Sequence, residues 1–189
     1  MNIVLFGAPG VGKGTQAALL SERLDLPHIS TGAIFRSAAA SGSALGLELK
    51  ATMEKGLLVP DELTTRIALE ALEADECSGG FILDGFPRNR AQAEALDAAL
   101  AGRGHRVDHV IYLTAPLDEL VERMLKRGRT DDTRETITKR FEVYQDETAP
   151  VLDFYREKGM VLELNGVGEI EDVNNNIVAL LEAVGKTEE

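Results

Sequence analysis

The chain has 189 residues, 44% of them apolar, with one cysteine and 32 acidic against 20 basic side chains, for a net charge of −12. That length supports one α/β domain with a substantial core and small insertions, and is too short for two full domains. The acidic balance argues against nucleic acid or anionic membrane as a partner, since both need a basic face, and the lone Cys77 excludes an internal disulfide and a multi-cysteine zinc site.

The apolar run Ile3–Phe6 reads as a buried parallel strand, and Gln16-Ala17-Ala18-Leu19-Leu20 as the continuation of a helix. Between them lies Gly7-Ala8-Pro9-Gly10-Val11-Gly12-Lys13-Gly14-Thr15, a glycine-rich loop in strand-to-helix context. Such a loop aims backbone N–H groups at phosphate oxygens, and the helix dipole and the Lys13 ammonium add positive charge. A short strand is expected at Pro27–Ser30. Ser30 to Val59 then holds two helical patterns, Ala33–Ala40 and Ala44–Lys55, joined at Ser41-Gly42-Ser43, enough chain for a subdomain that moves. Asp61 is expected to cap the next helix, through Leu63 and Ile67.

Gly80–Asp84 reads as an apolar strand ending in a carboxylate, the placement expected for an aspartate that holds a phosphate-bound magnesium directly or through water. A fourth strand is expected at His109–Thr114. Pro116 suits the first turn of the helix after it, whose apolar face runs from Leu117 to Leu125 and which Gly128 stops. Residues 126–132, Lys-Arg-Gly-Arg-Thr-Asp-Asp, form a short polar turn and a candidate lid. Thr133 starts the longest periodic stretch, with Ile137, Phe141, Tyr144, Thr148, Val151 and Tyr155 assigned to the core and a kink expected at Pro150. Met160–Leu164 is the fifth strand. Strands alternating with helices imply a parallel sheet covered on both faces, with ligands at the carboxyl ends of the strands. No segment approaches the ~20 apolar residues of a membrane span, and no leader-like region opens the chain. A soluble, unprocessed, cytoplasmic protein is expected, with a fraying tail over Gly185 to Glu189.

Four motifs in order, the loop at Gly7, Ser30-Thr31-Gly32-Ala33-Ile34-Phe35-Arg36, Asp84-Gly85-Phe86-Pro87-Arg88, and Arg127-Gly128-Arg129-Thr130-Asp131-Asp132 leading to Arg140, closely resemble those of the adenylate kinases over nearly the whole chain. Gly14, where a general phosphate loop has Ser or Thr, is itself a mark of the nucleoside monophosphate kinases. The resemblance implies a P-loop NTPase-like three-layer fold with a five-stranded parallel sheet, in a single domain. Its core would be 1–29, 60–125 and 133–189, with a helical NMP-binding insertion at 30–59 and a short lid at 126–132. It implies reversible transfer from ATP to AMP giving two ADP, with Mg2+, without zinc, and in a monomer. An AMP phosphate is mostly dianionic at neutral pH and needs no general base, so cations suffice: Lys13, Arg36, Arg88, Arg127, Arg129 and Arg140.

Carried over by motif, Gly10, Val11, Gly12, Lys13, Gly14 and Thr15 hold the ATP phosphates, joined by Arg123, Arg127 and backbone near Gly168. The AMP site takes Thr31, Arg36, Leu57, Leu58, Val59, Gly85, Phe86, Pro87, Arg88 and Gln92, with Arg129 and Arg140 closing over the phosphates. The resemblance further implies that Lys13, Arg88, Arg127, Arg129 and Arg140 carry catalysis and that Asp84 holds the metal through water. Two features depart from the common pattern: Ala33 stands where an acidic residue is usual, and the lid is short and lacks cysteines. Thr31 and Gln92 match the AMP-specific pattern, whereas Asn89 resembles the UMP/CMP kinases, the alternative reading; a non-catalytic ATP-binding switch is a distant one.

Overall fold

Five parallel strands, β1 (Asn2–Gly7), β2 (His28–Ser30), β3 (Phe81–Asp84), β4 (His109–Thr114) and β5 (Val161–Asn165), form one sheet in the order β2-β3-β1-β4-β5. The computed structural model describes residues 1–185, so the expected fraying of the tail lies almost wholly outside the described residues. The strands agree with those read from the sequence to within a residue or two at each end. Pro27 and Met160 fall just outside theirs, yet their carbonyls accept ladder hydrogen bonds from Ile82 N–H at 2.9 Å and Val110 N–H at 2.8 Å.

The connections carry α1 (Lys13–Leu24), α2 (Thr31–Ala40), α3 (Ala44–Glu54), α4 (Asp61–Leu72), α5 (Arg90–Ala101), α6 (Leu117–Arg127), α7 (Arg134–Val143), α8 (Val151–Arg156) and α9 (Ile170–Gly185). Every residue of β1 is buried, because successive side chains point to opposite faces and both faces are covered. Val4 and Phe6 pack with Ala68 of α4, Leu96 of α5 and Tyr155 of α8. Ile3 and Leu5 meet Leu20 of α1, Leu120 of α6 and Ile177 of α9 on the other side. The result is a three-layer sandwich, whose parallel strands all present their carboxyl ends to the same edge.

Between β2 and α4, helices α2 and α3 pack so closely that a β-carbon on Gly46 would stand 2.4 Å from the Ala38 carbonyl. They enclose a small apolar cluster of Phe35, Leu49 and Val59, continued by Leu63 and Ile67 of α4. The last turn of this insertion rests on α7: Thr136 Oγ1 donates to the Glu54 carbonyl at 2.8 Å.

Three local expectations change. Pro60 occupies the N-cap of α4, and Asp61 is the first helical residue, its carboxylate turned toward α5 rather than onto its own helix. Pro116 stands at the N-cap of α6, one position before the helix begins. The break expected at Pro150 is a widened turn over Tyr144–Thr148, closed by Ala149 N–H to the Tyr144 carbonyl at 2.7 Å. Proline has no N–H to give and its ring crowds the preceding turn, so the helix widens before it.

Candidate active site

The phosphate loop is held open by its glycines. Gly7 (φ +143°) passes the β4 backbone so closely that a β-carbon would lie 2.5 Å from the Leu113 carbonyl, and at Gly10 (φ +86°) one would lie 2.7 Å from that of Leu120. Both glycines are therefore required by close approach as well as by conformation. Gly12 (φ +102°) is the N-cap of α1 and offers no side-chain oxygen to the first turn. Among the described helices, α1 alone has neither a side-chain cap nor an acidic residue in its first turn. Its N–H groups remain available to an anion. Lys13 Nζ donates to the carbonyls of Gly7 at 2.7 Å and Ala8 at 3.1 Å, which points the ammonium into the loop.

Asp84 ends β3 beside this loop, its strand register pairing it with Leu5. Ser30 Oγ donates to Asp84 Oδ2 at 3.3 Å while capping α2, and His28 Nε2 stands 3.9 Å from the same oxygen, beyond hydrogen-bond length. Burial pushes the Asp84 carboxyl up, but His28, Lys13 and Arg88 outweigh it and hold the group below the usual carboxylate range. It is an anion at neutral pH. A β-carbon on Gly14 would come within 3.4 Å of Asp84 Oδ2, so the missing side chain keeps a gap between carboxylate and loop.

One cleft of about 790 Å³ opens at the carboxyl edge of the sheet. Every residue assigned above to the donor, acceptor, catalytic and metal sites lines it, with one exception. Thr31 does not: it is 1% exposed and its hydroxyl donates to the Gly85 carbonyl at 2.9 Å, bracing the acceptor loop from behind. Asn89 is not part of the lining either, and its side chain caps α5 and binds Asp61.

The cations crowd one another. Burial, the largest cause, and neighbouring guanidiniums lower the pKa values of Arg36, Arg88 and Arg129, and bring Arg140 down to about 10 through burial followed by Arg127, Arg88, Arg129 and Arg36. The guanidiniums of Arg36 and Arg129 take no hydrogen bond or ion pair among the described residues. Arg127 grips Asp132 through two bonds of 2.9 and 2.7 Å, and Arg140 bonds Asp132 at 3.1 Å and pairs with Asp131. Asp131 and Asp132 are 7% and 8% exposed, so these are not loose surface pairs.

Arg123 spans the opposite end, donating to the Gly166 carbonyl at 3.1 Å and the Val11 carbonyl at 3.4 Å, with Glu119 behind it. Gly168, Ile170 and Val173 line the cleft there, and Gln16 and Asn174 tie α1 to α9 below them by a 2.9 Å bond. The sequence reading missed several lining residues. Val143, Tyr144 and Thr148 face the cleft from the α7 end, although Tyr144 and Thr148 were assigned wholly to the core. Periodicity identifies the buried face of a helix without distinguishing a core from a cleft wall.

The family model described as adenylate kinase matches residues 5–160. The chain belongs to the adenylate kinase family. The adenylate kinase of Bifidobacterium longum (strain NCC 2705) is 49% identical over 186 residues, covering 96% of this chain and all of that protein. Those of Xylella fastidiosa (strain 9a5c) and Corynebacterium glutamicum (strain R) are each 46% identical, over 96% and 98% of this chain and 99% and 100% of their own lengths. Family membership matches the cleft built around a phosphate loop. No helix among the described residues is long and apolar enough to cross a membrane.

Burial at the cleft floor brings Lys13 down from 10.5 to about 8; Asp84 partly opposes this, and Arg88 and Arg127 add to it. Because the folded value lies below the ordinary one, the Lys13 charge opposes stability of the free protein at low pH, and that opposition disappears as pH rises from about 8 to 10.5. A polyphosphate bound against the ammonium would favour its charged form and raise the value again. Binding of ATP at about pH 9 is therefore expected to take up protons. Calorimetry in buffers of different ionisation enthalpy reads this uptake, which disappears in Lys13→Arg protein.

Proposed function

We propose that this adenylate kinase family member transfers the terminal phosphoryl group of ATP reversibly to AMP, giving two ADP. The observation that carries the reading is the convergence of six cations, Lys13, Arg36, Arg88, Arg127, Arg129 and Arg140, on one cleft of a net-acidic chain. Two polyanions brought together repel, and the transferring group carries charge spread over its equatorial oxygens. Fixed cations answer both problems without a proton acceptor.

In this reading the ATP phosphates lie on residues 10–15 with Lys13 toward the transferred group, and the base lies between Arg123 and the Gly168 segment. The AMP phosphate is gripped by Arg36 and Arg88, whose Nε is already fixed to the Gly85 carbonyl at 2.8 Å. Leu57, Leu58, Val59 and Gln92 face the acceptor nucleoside, with Gly85 to Pro87 beside them. Arg127, Arg129 and Arg140 stabilise the transferring group, their positions set in part by Asp131 and Asp132. Guanidinium forks suit phosphate oxygens better than ammonium groups.

Asp84 suits a magnesium ion carried in by the nucleotide. A single ionised carboxylate, with space left by Gly14 and no second acid at Ala33, fits an ion bound chiefly by phosphate and water rather than a protein cage. Bound there, the ion would neutralise phosphate charge. The enzyme is read as a cytoplasmic monomer, and its one cysteine, Cys77, is a buried free thiol.

The test is diphosphate formation from ATP and magnesium with AMP, CMP, UMP or GMP in turn. AMP is expected to be the preferred acceptor; an inert AMP beside active CMP or UMP would refute the assignment. Arg88→Ala is expected to lower kcat by about 10²–10³-fold with the fold retained. We further propose that residues 30–59 and 126–132 close over bound nucleotide to exclude water. Hydrogen exchange in both segments should slow with a bisubstrate analogue, and unchanged exchange would argue against closure.

A further inference from the structure

Asp61 opens α4 two residues beyond Val59, and its carboxylate crosses to the acceptor wall. Oδ1 accepts from Gln92 Nε2 at 2.7 Å and from Asn89 Nδ2 at 2.8 Å, while Oδ2 accepts from Asn89 Nδ2 at 2.9 Å. The other end of the Gln92 amide is also engaged: Oε1 accepts from the Arg88 backbone N–H at 2.8 Å. Gln92 is 1% exposed and lines the cleft.

A carboxylate only accepts and a backbone N–H only donates. Turning the Gln92 amide over would set its oxygen against the Asp61 carboxylate and its NH2 against the Arg88 N–H, losing two hydrogen bonds and creating two like-facing pairs. One Nε2–H and one Oε1 lone pair are left for a ligand, and their order is fixed.

We propose that Asp61 is a specificity-determining positioning residue, which locks the Gln92 amide so that the acceptor site takes 6-aminopurine and rejects 6-oxopurine. The inference rests on the reading above, in which the acceptor base lies against Gln92. An adenine edge offers an amino donor beside a ring-nitrogen acceptor; a hypoxanthine edge offers an oxo acceptor beside a ring N–H donor. A glutamine able to turn over serves either edge. A locked one serves a single order, and the mismatched base leaves buried polar groups unpaired, the condition under which discrimination is large. Asn89 holds the carboxylate from its other side.

The test compares AMP and inosine monophosphate as acceptors for the wild-type enzyme, Asp61→Ala and Asn89→Ala, reading the ratio of kcat/KM for the two. Wild type should strongly favour AMP. Asp61→Ala should lower the AMP-to-inosine ratio by about tenfold or more, chiefly through KM for AMP, with KM for ATP unchanged. Asn89→Ala removes the α5 cap but leaves the Asp61–Gln92 bond, and should keep the ratio. A parallel fall for both acceptors in Asp61→Ala, with the ratio preserved, would overturn the lock and leave the functional reading standing. Wild type inactive toward AMP would overturn the functional reading and the lock with it. If melting shows Asp61→Ala to be unfolded, Asp61→Ser, too short to reach Gln92, carries the same expectation.

Discussion

Repulsion among cations gathered at one sheet edge is the constraint on which the rest of the molecule depends. Each of Arg36, Arg88, Arg129 and Arg140 is disfavoured by burial and by its neighbours, and Lys13 is brought down to about 8. The chain supplies three local carboxylates against them. Asp84 faces Lys13 and Arg88, while Asp131 and Asp132 hold Arg127 and Arg140. Arg36 and Arg129 are left to face the cleft without a partner among the described residues. The free protein thus holds an incompletely neutralised site, which two nucleotide phosphate chains would complete. The surplus acid of the chain lies elsewhere and does not relieve it.

The scaffold serves this arrangement by bringing distant segments together without flexible reach. Parallel strands place the loop after β1 beside the end of β3, so Lys13 and Asp84 meet although they are far apart in sequence. Glycines at 7 and 10 let the loop pass against the backbones of β4 and α6. The insertion at 30–59 stands on α7 through Thr136 and Glu54, next to the short turn whose arginines face it across the cleft. The rim of the insertion is therefore already anchored to α7.

Much of this was legible in the sequence, for identifiable reasons. The strands were visible because a sheet buried on both faces requires continuous apolar runs, and the phosphate loop because few other tasks need that spacing of glycine and lysine. The arginines were visible through motifs rather than through charge pattern, since a buried and an exposed arginine look alike in one dimension. What remained hidden depends on direction. Thr31 turns its hydroxyl to the Gly85 carbonyl, Asp61 turns from its own helix to Gln92, and Tyr144 lines the cleft. The widened turn before Pro150 rotates the following residues, and no periodic count foresees that.

The most direct test is the stability of Arg36→Met protein without nucleotide, measured by urea unfolding beside the wild type. Methionine keeps most of the apolar stem and removes the charge. The pKa of Arg36 is lowered by burial and by Arg127, so its charge opposes folding across the neutral range, and its removal should raise the unfolding free energy while kcat/KM for AMP collapses. A loss of stability in Arg36→Met would contradict the account, because it would mean that the cation cluster supports the free protein.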